Sequence, residues 1–302
     1  MSDRVIKEST KAGYEQRLKK LNDGKPIENY AFLYNIEIVL DKIKDLTLGT
    51  QRNYIISIVQ ALKDVPVMSS MLEKYTGIMN DMNTTLKKNN TKSIVQKENW
   101  CSQEQIESVY KSLLDSNIDL FVSKKKIGTE LEWDKVLEVV ILALYVLQAP
   151  RRILDYTVMY IVKKMPKEID QSINYYDLSS DTFYFNHYKT SGTYKTQSFK
   201  APSKLATLLE SYVKIRPIKL TATNKIPMLC KFNGDMFEKT YAITKILNRI
   251  FKRDLGKRVS VNLLRNIYLT TKFGPKVAEL SDTASKMGTS SNTIENQYIK
   301  ID

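Results

Sequence analysis

Apolar residues recur at three- and four-residue intervals along residues 9–80, which is the spacing of amphipathic helices. In "STKAGYEQRLKKL", Tyr14, Leu18 and Leu21 fall on one stripe. The stretches "NYAFLYNIEIVLDKIKDL", "TLGTQRNYIISIVQALKDV" and "SSMLEKYTGIMNDMNTTLKK" continue the pattern, and Pro66 closes the helix of the second. Together these stretches predict successive helices and a small helical domain over residues 1–88.

The patterning weakens in "KKNNTKSIVQKENW", which is polar and basic. We therefore predict a linker over residues 89–100 and a second domain over residues 101–302. The most apolar stretch of that domain is "LEWDKVLEVVILALYVLQ", and Pro150 follows it. It predicts a buried central helix.

The segment "DTFYFNHYKTSGTYKTQSFKAP" changes the pattern, because it is rich in β-favouring aromatic residues: Phe183, Phe185, Tyr188, Tyr194 and Phe199. It predicts a β-hairpin with its turn near Gly192. Helical spacing returns in "SKLATLLESYVKIR", "KTYAITKILNRIFKRD", "SVNLLRNIYLTTKF" and "PKVAELSDTASKM". The predicted fold class is therefore mainly α with a small β-hairpin or sheet.

The net charge of +14 and the pI near 9.4 favour a polyanionic partner, of which nucleic acid is the first candidate. The partner that we expect is double-stranded DNA. Charge alone leaves open a merely soluble basic protein. No apolar run is long enough to span a membrane, and "MSDRVIKEST" lacks the apolar core of a secretory signal. We expect no membrane association and an intracellular location at DNA.

A zinc site would need nearly all of Cys101, Cys230 and the single histidine, His187, together, and no protease motif surrounds His187. We expect free buried thiols, no metal and no cofactor. His187 lies two positions before Lys189 and is interpreted as structural.

Arg152 and Asp155 in "APRRILDY" are spaced to share a helical face, so the acid could hold the guanidinium in place. A fixed guanidinium is a planar fork suited to phosphate oxygens. The alternative interpretation is an ordinary ion pair at a helix start.

Lys189 lies beside the predicted hairpin turn, where it is either solvated or able to deliver a proton to a leaving oxygen. Asn262 and Arg265 share a face of a helix that Ser260 caps. An arginine on a mostly apolar helix is costly unless it is paired or meets an anion. The alternative is an arginine that extends to the domain surface.

The chain closes with "MGTSSNTIENQYIK", where Ser290, Ser291 or Asn292 can open a helix and Glu295 can complete a capping box. Tyr298 then lies in the second turn. It shares a stripe with Ile294 and Ile301, so it is either a core residue or a nucleophile.

In this order, the four features resemble the tyrosine recombinase/integrase family. Arg152 with Asp155 resembles the first catalytic arginine and its acidic neighbour, and "YKTSGT" resembles the segment that presents the catalytic lysine, here Lys189. Asn262 to Arg265 is similar to the His/Lys-x-x-Arg motif. "MGTSSNTIENQY" resembles the "LGHSS" box, whose histidine precedes the nucleophile by nine residues, and Thr289 to Tyr298 keeps this spacing.

The family resemblance implies a helical core-binding domain and a catalytic domain that act on DNA as a homotetramer. It implies that Tyr298 attacks a phosphate to give a 3′-phosphotyrosine, without metal or ATP. Arg152 and Arg265 would then stabilise the charge, and Lys189 would protonate the leaving oxygen. The Lys-, Ile-, Asn- and Tyr-rich composition agrees with an AT-rich virus or mobile element.

Two departures from the family pattern bear on activity, because Asn262 and Thr289 stand where the family has histidines. Loss of one preorganised donor costs about 10²–10³ in rate. The alternatives are a type IB topoisomerase, which the helical N-terminus disfavours, and a catalytically impaired DNA-binding protein. An integrase with three carboxylates and magnesium is disfavoured because one histidine cannot build its usual zinc domain.

Overall fold

The computed structural model describes residue 6 and residues 8–88, 91–123 and 125–299. The chain divides into two compact units, Met1–Lys92 and Ser93–Asp302. The division falls inside the segment predicted as a linker, of which residues 89 and 90 lie outside the described residues. None of the helices in the described ranges is long and apolar enough to cross a membrane.

The first unit is helical, as its apolar spacing predicts. Its α-helices are α1 (Glu8–Leu21), α2 (Ile36–Asp41), α3 (Leu48–Leu62) and α4 (Ser69–Lys88), with 3₁₀ turns at Ala31–Leu33 and Pro66–Met68. A single helix over "NYAFLYNIEIVLDKIKDL" is wrong: Asn35 adopts an extended conformation and its side chain accepts a hydrogen bond from the Ile38 amide, which starts α2 afresh. The core centres on the fully buried Ile55, Ile58 and Tyr75.

The second unit begins with a helix in the segment predicted as a linker. This helix, α5 (Ile94–Asn99), has a complete capping box formed by Ser93 and Gln96. The Asn99 side chain accepts a hydrogen bond from the Arg258 amide at 2.7 Å. The segment is therefore fastened to the second unit despite its polar composition.

The helices of the second unit pack around one buried helix, α8 (Glu130–Val146), as its apolar sequence predicts. Trp133 stacks on Tyr212 with ring centroids 5.4 Å apart and donates its indole N–H to the Cys230 carbonyl. The other helices are α6 (Gln103–Asp115), α7 (Ile118–Val122), α9 (Ile153–Thr157), α10 (Ser191–Tyr194), α11 (Ser203–Ile215), α12 (Tyr241–Leu255) and α13 (Val261–Lys286).

A small mixed sheet completes this unit, so the predicted class of mainly α with a small sheet is confirmed. Its strands are β1 (Met159–Val162), β2 (Asn174–Asp177), β3 (Thr182–Phe185), β4 (Gln197–Lys200) and β5 (Lys225–Pro227), in the order β4-β3-β2-β1-β5. β1 and β2 are parallel, and the other pairs are antiparallel. The predicted hairpin is the β3–β4 pair, and Gly192 lies in α10 between these strands.

Helix α13 differs from expectation, because the sequence predicts two helices, "SVNLLRNIYLTTKF" and "PKVAELSDTASKM", in this region. Instead α13 runs for 26 residues with Pro275 inside it. A proline in a helix interior removes a hydrogen bond and costs about 3 kcal/mol. Beyond Pro275, only Ala284 of this helix is buried, so the second half projects from the core. A short terminal helix follows α13. It consists of an α-helical turn, Ser291–Thr293, that continues into a π-helical turn, Ile294–Tyr298.

Candidate phosphate-binding site

A cavity of about 500 Å³ lies where α8 ends, bounded by α9, the β3–β4 connection, β4 and the first half of α13. Three of the predicted site residues, Arg152, Asp155 and Arg265, line it. Its other lining residues are Gln148, Ala149, Pro150, Arg151, Tyr188, Thr190, Tyr194, Gln197, Phe199, Lys200 and Pro202. The fold therefore brings together arginines that are far apart in sequence.

The buried acid Asp155 pairs with Arg151 and not, as predicted, with Arg152. Arg151 Nε lies 2.7 Å from Asp155 Oδ2. The prediction is wrong because α9 begins only at Ile153: Arg152 is its N-cap residue and has an extended conformation, so it is not on the helical face that carries Asp155. Arg152 remains at the cavity with its side chain uncommitted to a protein hydrogen bond or ion pair within the described residues.

Arg151 is held from two further sides. Its Nη1 donates to Gln197 Oε1 at 3.2 Å, and its guanidinium carbon lies 3.8 Å from the centre of the Phe185 ring. Such stacking on an aromatic face is favourable for a guanidinium. Arg151 is thus a fixed wall of the cavity that joins α9 to the β3–β4 hairpin.

The backbone behind Asp155 is fixed by Asn174, which is fully buried on β2. Asn174 Nδ2 donates to the carbonyls of Asp155 and His187, at 2.8 and 2.9 Å. Its Oδ1 accepts from the Asn186 and His187 amides. One satisfied amide therefore sets the position of α9 and of the chain leading to Lys189, as buried polar groups require.

The cavity combines a buried carboxylate with excess positive charge. Burial raises the pKa of the Asp155 carboxyl, while the guanidiniums of Arg151, Arg152 and Arg265 oppose that shift. Asp155 Oδ1 is buried without a hydrogen-bond partner in the described structure. Three guanidinium groups therefore share one acid.

Arg265 is half-buried, and its pKa is lowered, first by burial and then by repulsion from Arg152 and Arg151, with Asp155 opposing the shift. An entering anion would relieve this repulsion. The buried Tyr145 interacts electrostatically with Arg265 and Asp155, and burial raises the pKa of its hydroxyl. This hydroxyl has no hydrogen-bond partner within the described ranges. The arrangement suits a phosphate group.

Three other predicted residues do not line the cavity. Lys189 is exposed, although its neighbours Tyr188 and Thr190 do line it. Asn262 is exposed near the start of α13, and Thr289 is half-buried beyond its end, with its amide donating to the Ala284 carbonyl. The structure therefore brings together the arginines and the acid but not the supporting donors.

Tyr298 lies at the end of the terminal helix with 62 % of its surface exposed. Its interpretation as a core residue is wrong, since only Ile294 of the predicted stripe is buried and Ile301 lies outside the described residues. Ser290, one of the three residues predicted to open the helix, is the cap and accepts from the Thr293 amide, so the predicted capping box of Asn292 and Glu295 is not the one that starts it. Tyr298 is also absent from the cavity lining.

Sequence reasoning missed Arg151, Gln197, Tyr145 and Lys200. The sequence shows Arg151 as one of two adjacent arginines, but only the position at which α9 begins determines which of the two pairs with Asp155. Gln197 and Lys200 are brought to the cavity by the β3–β4 register, which pairs Phe185 with Gln197. Tyr145 carries no local signal, since it lies within the apolar run of α8.

Comparison with protein-family models, with curated proteins and with solved structures finds no match for this chain. Among the described residues, no group of three His, Cys, Asp or Glu side chains could hold a metal ion.

Proposed function

We propose that this protein cleaves and rejoins DNA as a tyrosine-type site-specific recombinase. The supporting observation is the cavity in which Arg151, Arg152 and Arg265 surround a single acid. In the transition state of phosphoryl transfer, negative charge gathers on the non-bridging oxygens, and preorganised cations stabilise this charge. The net charge of +14 supports a DNA substrate.

In this mechanism the Tyr298 hydroxyl gives its proton to solvent and its oxygen attacks the phosphorus. A 3′-phosphotyrosyl bond forms, the bond to the 5′ oxygen breaks, and Lys189 gives that oxygen a proton. The 5′-hydroxyl of a second strand then reverses these steps and releases Tyr298. Because each step exchanges one phosphoester for another, the scheme consumes no ATP.

The arginines divide the work according to their contacts. Arg152 and Arg265 are free to bind the phosphate oxygens, whereas Arg151 is committed to Asp155 and Gln197 and shapes the cavity wall. Asn262 and Thr289 would supply supporting hydrogen bonds. Strand exchange between two duplexes requires four active sites, so we expect a homotetramer on DNA. We accordingly expect the protein at DNA inside the cell.

A nicked suicide duplex tests this function. Its sequence around the nick is randomised because the target sequence is undefined. After cleavage the short fragment beyond the cut diffuses away, so the covalent adduct cannot be religated. The wild type should become covalently attached and Tyr298→Phe should not. Tyr241→Phe is the matched control, since Tyr241 is also an exposed tyrosine of the second unit.

A second candidate function is DNA binding without cleavage. The exposed position of Tyr298, outside the cavity lining, favours it. Duplex binding without any adduct from the wild type would support this candidate. Relaxation of a supercoiled plasmid that lacks paired sites, faster than any recombination, would instead indicate a type IB topoisomerase.

A further inference from the structure

The arginine cavity is larger than a phosphate group. Its volume is about 500 Å³. Even if each atom of a phosphate group took the volume of a water molecule in the liquid, about 30 Å³, the group would fill only about a third of this space. Pockets of about 300–1,000 Å³ usually enclose a whole small molecule. The cavity therefore has room for the sugar and the base that are attached to a bound phosphate.

Two exposed aromatic side chains line the same cavity. Tyr194 is 63 % exposed and Phe199 is 41 % exposed. Phe199 packs against Phe185 with ring centroids 5.2 Å apart. The Tyr194 side chain has neither a ring contact nor a hydrogen bond within the residues that the structure describes. A large aromatic ring in water is unfavourable, so a ligand that covers Tyr194 gains free energy.

The backbone around Tyr194 is fixed, although its side chain is exposed. The Tyr194 amide donates to the Thr190 carbonyl at 3.1 Å, which closes α10. The buried Tyr188 donates its hydroxyl to the Lys195 carbonyl at 2.7 Å. Lys195 has a φ of 56°, a conformation that is unfavourable for lysine and persists only where the surroundings enforce it. The turn therefore holds the Tyr194 backbone in place at the cavity.

The cavity also contains polar groups that a phosphate bound by the arginines does not require. Gln197 accepts from Arg151 through Oε1, and its Nε2 has no acceptor among the described residues. The Thr190 hydroxyl also lines the cavity and has no hydrogen-bond partner in the part of the chain that the structure describes. A nucleobase offers a flat face for stacking and a polar edge for hydrogen bonds. These groups together match a base as well as a phosphate.

We infer that the cavity binds a whole nucleotide whose base has left the DNA stack and lies against Tyr194, an inference that rests on the DNA substrate of the proposed function. The phosphate of this nucleotide meets Arg152 and Arg265, and its base stacks on the Tyr194 ring. Such stacking accepts any base, because every base has a π face. Extruding a base costs least where the base is unpaired, so the preferred substrate carries an unpaired base beside the bound phosphate.

Two bulged duplexes test this inference by comparing a base with no base. One duplex carries a single unpaired thymidine, and the other carries an abasic residue at that position, so both keep the same phosphates. Fluorescence anisotropy measures both affinities in the Tyr298→Phe protein, which keeps cleavage out of the measurement, with excess unlabelled paired duplex as competitor. The thymidine duplex should bind about tenfold more tightly, as expected for stacking on one aromatic ring.

Substitution of Tyr194 isolates the stacking contact. Tyr194→Leu keeps an apolar side chain but removes the aromatic face, so the affinities for the two duplexes should become nearly equal. Tyr194→Phe keeps the face and should retain the preference. Tyr241→Leu, at an exposed tyrosine outside the cavity lining, is the matched control and should also retain it. Urea denaturation should show unchanged stability for Tyr194→Leu, because the side chain is mostly exposed.

Photocrosslinking identifies the residue that meets the base. The unpaired thymidine is replaced by 5-iododeoxyuridine, which couples under long-wavelength ultraviolet light to an aromatic side chain in contact with it. Protease digestion and mass spectrometry should locate the crosslink on the peptide that contains Tyr194.

The outcomes separate this inference from the proposed cleavage. Equal affinity for the two bulged duplexes before substitution of Tyr194 overturns the inference, whatever the cleavage assay gives. A preference that persists in Tyr194→Leu overturns it too, as does a crosslink that fails to form or maps to a peptide without Tyr194. A preference that Tyr194→Leu removes, in a protein that forms no covalent adduct with the nicked suicide duplex, supports the inference and refutes only cleavage.

Discussion

The cavity and the terminal segment contain the two halves of one proposed reaction, and they are built in opposite ways. At the cavity, Asp155 is 2 % exposed and its arginine partner is held by a carboxylate, an amide and an aromatic ring. Tyr298 is 62 % exposed on a short terminal helix. One wall of the cavity is fixed in advance by Arg151 and its partners, whereas the proposed nucleophile is exposed.

This difference has a physical reason. Electrostatic stabilisation is most effective when the cations need little reorganisation during the reaction. Arg151 is held by its partners, and Arg152 and Arg265 are half-buried. A nucleophile held beside these guanidiniums would compete with the phosphate for the same place. The contrast predicts large losses of stability for substitutions at the cavity and small ones for substitutions along the second half of α13.

The largest effect on stability is expected for Asp155→Ala. It leaves Arg151 without its counter-ion and three guanidiniums without an acid, so the free energy of unfolding should fall by about 3–5 kcal/mol. Urea denaturation measures this change. The control is Asp282→Ala on α13, whose pair with Lys286 is 63 % and 74 % exposed and contributes at most about 1 kcal/mol. Equal losses would contradict the contrast.

Arg265→Ala should give the largest effect on the reaction after Tyr298→Phe. Removing one preorganised charge donor lowers the rate about 10²–10³-fold. The rate of adduct formation on the nicked duplex measures it. Arg258→Ala removes an equal charge at an exposed position outside the cavity lining, so it should leave that rate nearly unchanged.

Arg152→Ala should weaken duplex binding through the loss of one phosphate contact. The slope of the logarithm of the binding constant against the logarithm of salt should become shallower by about 0.9. Fluorescence anisotropy of a labelled duplex at several salt concentrations measures this slope. An unchanged slope would mean that Arg152 contacts no phosphate.

The smallest effect is expected for Tyr145→Phe. Its hydroxyl is buried without a partner in the described structure, so its removal should not destabilise the fold. Tyr75→Phe is the comparison, because that hydroxyl donates to the Leu33 carbonyl at 2.9 Å and should be worth about 1 kcal/mol. Thermal unfolding of both variants checks the difference. A larger loss from Tyr145→Phe would show that its hydroxyl has a partner.

Much of this architecture follows from local patterns, and the remainder follows from where elements begin and end. The apolar run of α8 and the aromatic alternation of β3 and β4 identify the core and hairpin directly. The partner of Asp155 does not follow from spacing, because α9 starts one residue too late for Arg152. Likewise, the spacing of apolar residues does not show that α13 continues through Pro275, because proline usually ends a helix and tertiary context overrides that tendency here.

The candidate site shows the same limit. Arg152 and Arg265 were found because charged residues stand out beside apolar runs, and tertiary folding brings them to one cavity. Lys189, Asn262 and Thr289 were identified by their order along the chain, which says nothing about how closely they approach it. Their participation stays a prediction.

We propose that Tyr298 attacks a phosphate held by the arginine cluster. Protease digestion of the covalent adduct, followed by mass spectrometry, tests this attack by locating the attached nucleotide. We expect a 3′-phosphate ester on the peptide that contains Tyr298, lost in Tyr298→Phe and strongly reduced in Arg265→Ala. Attachment to another residue, or an adduct that survives both substitutions, would contradict it.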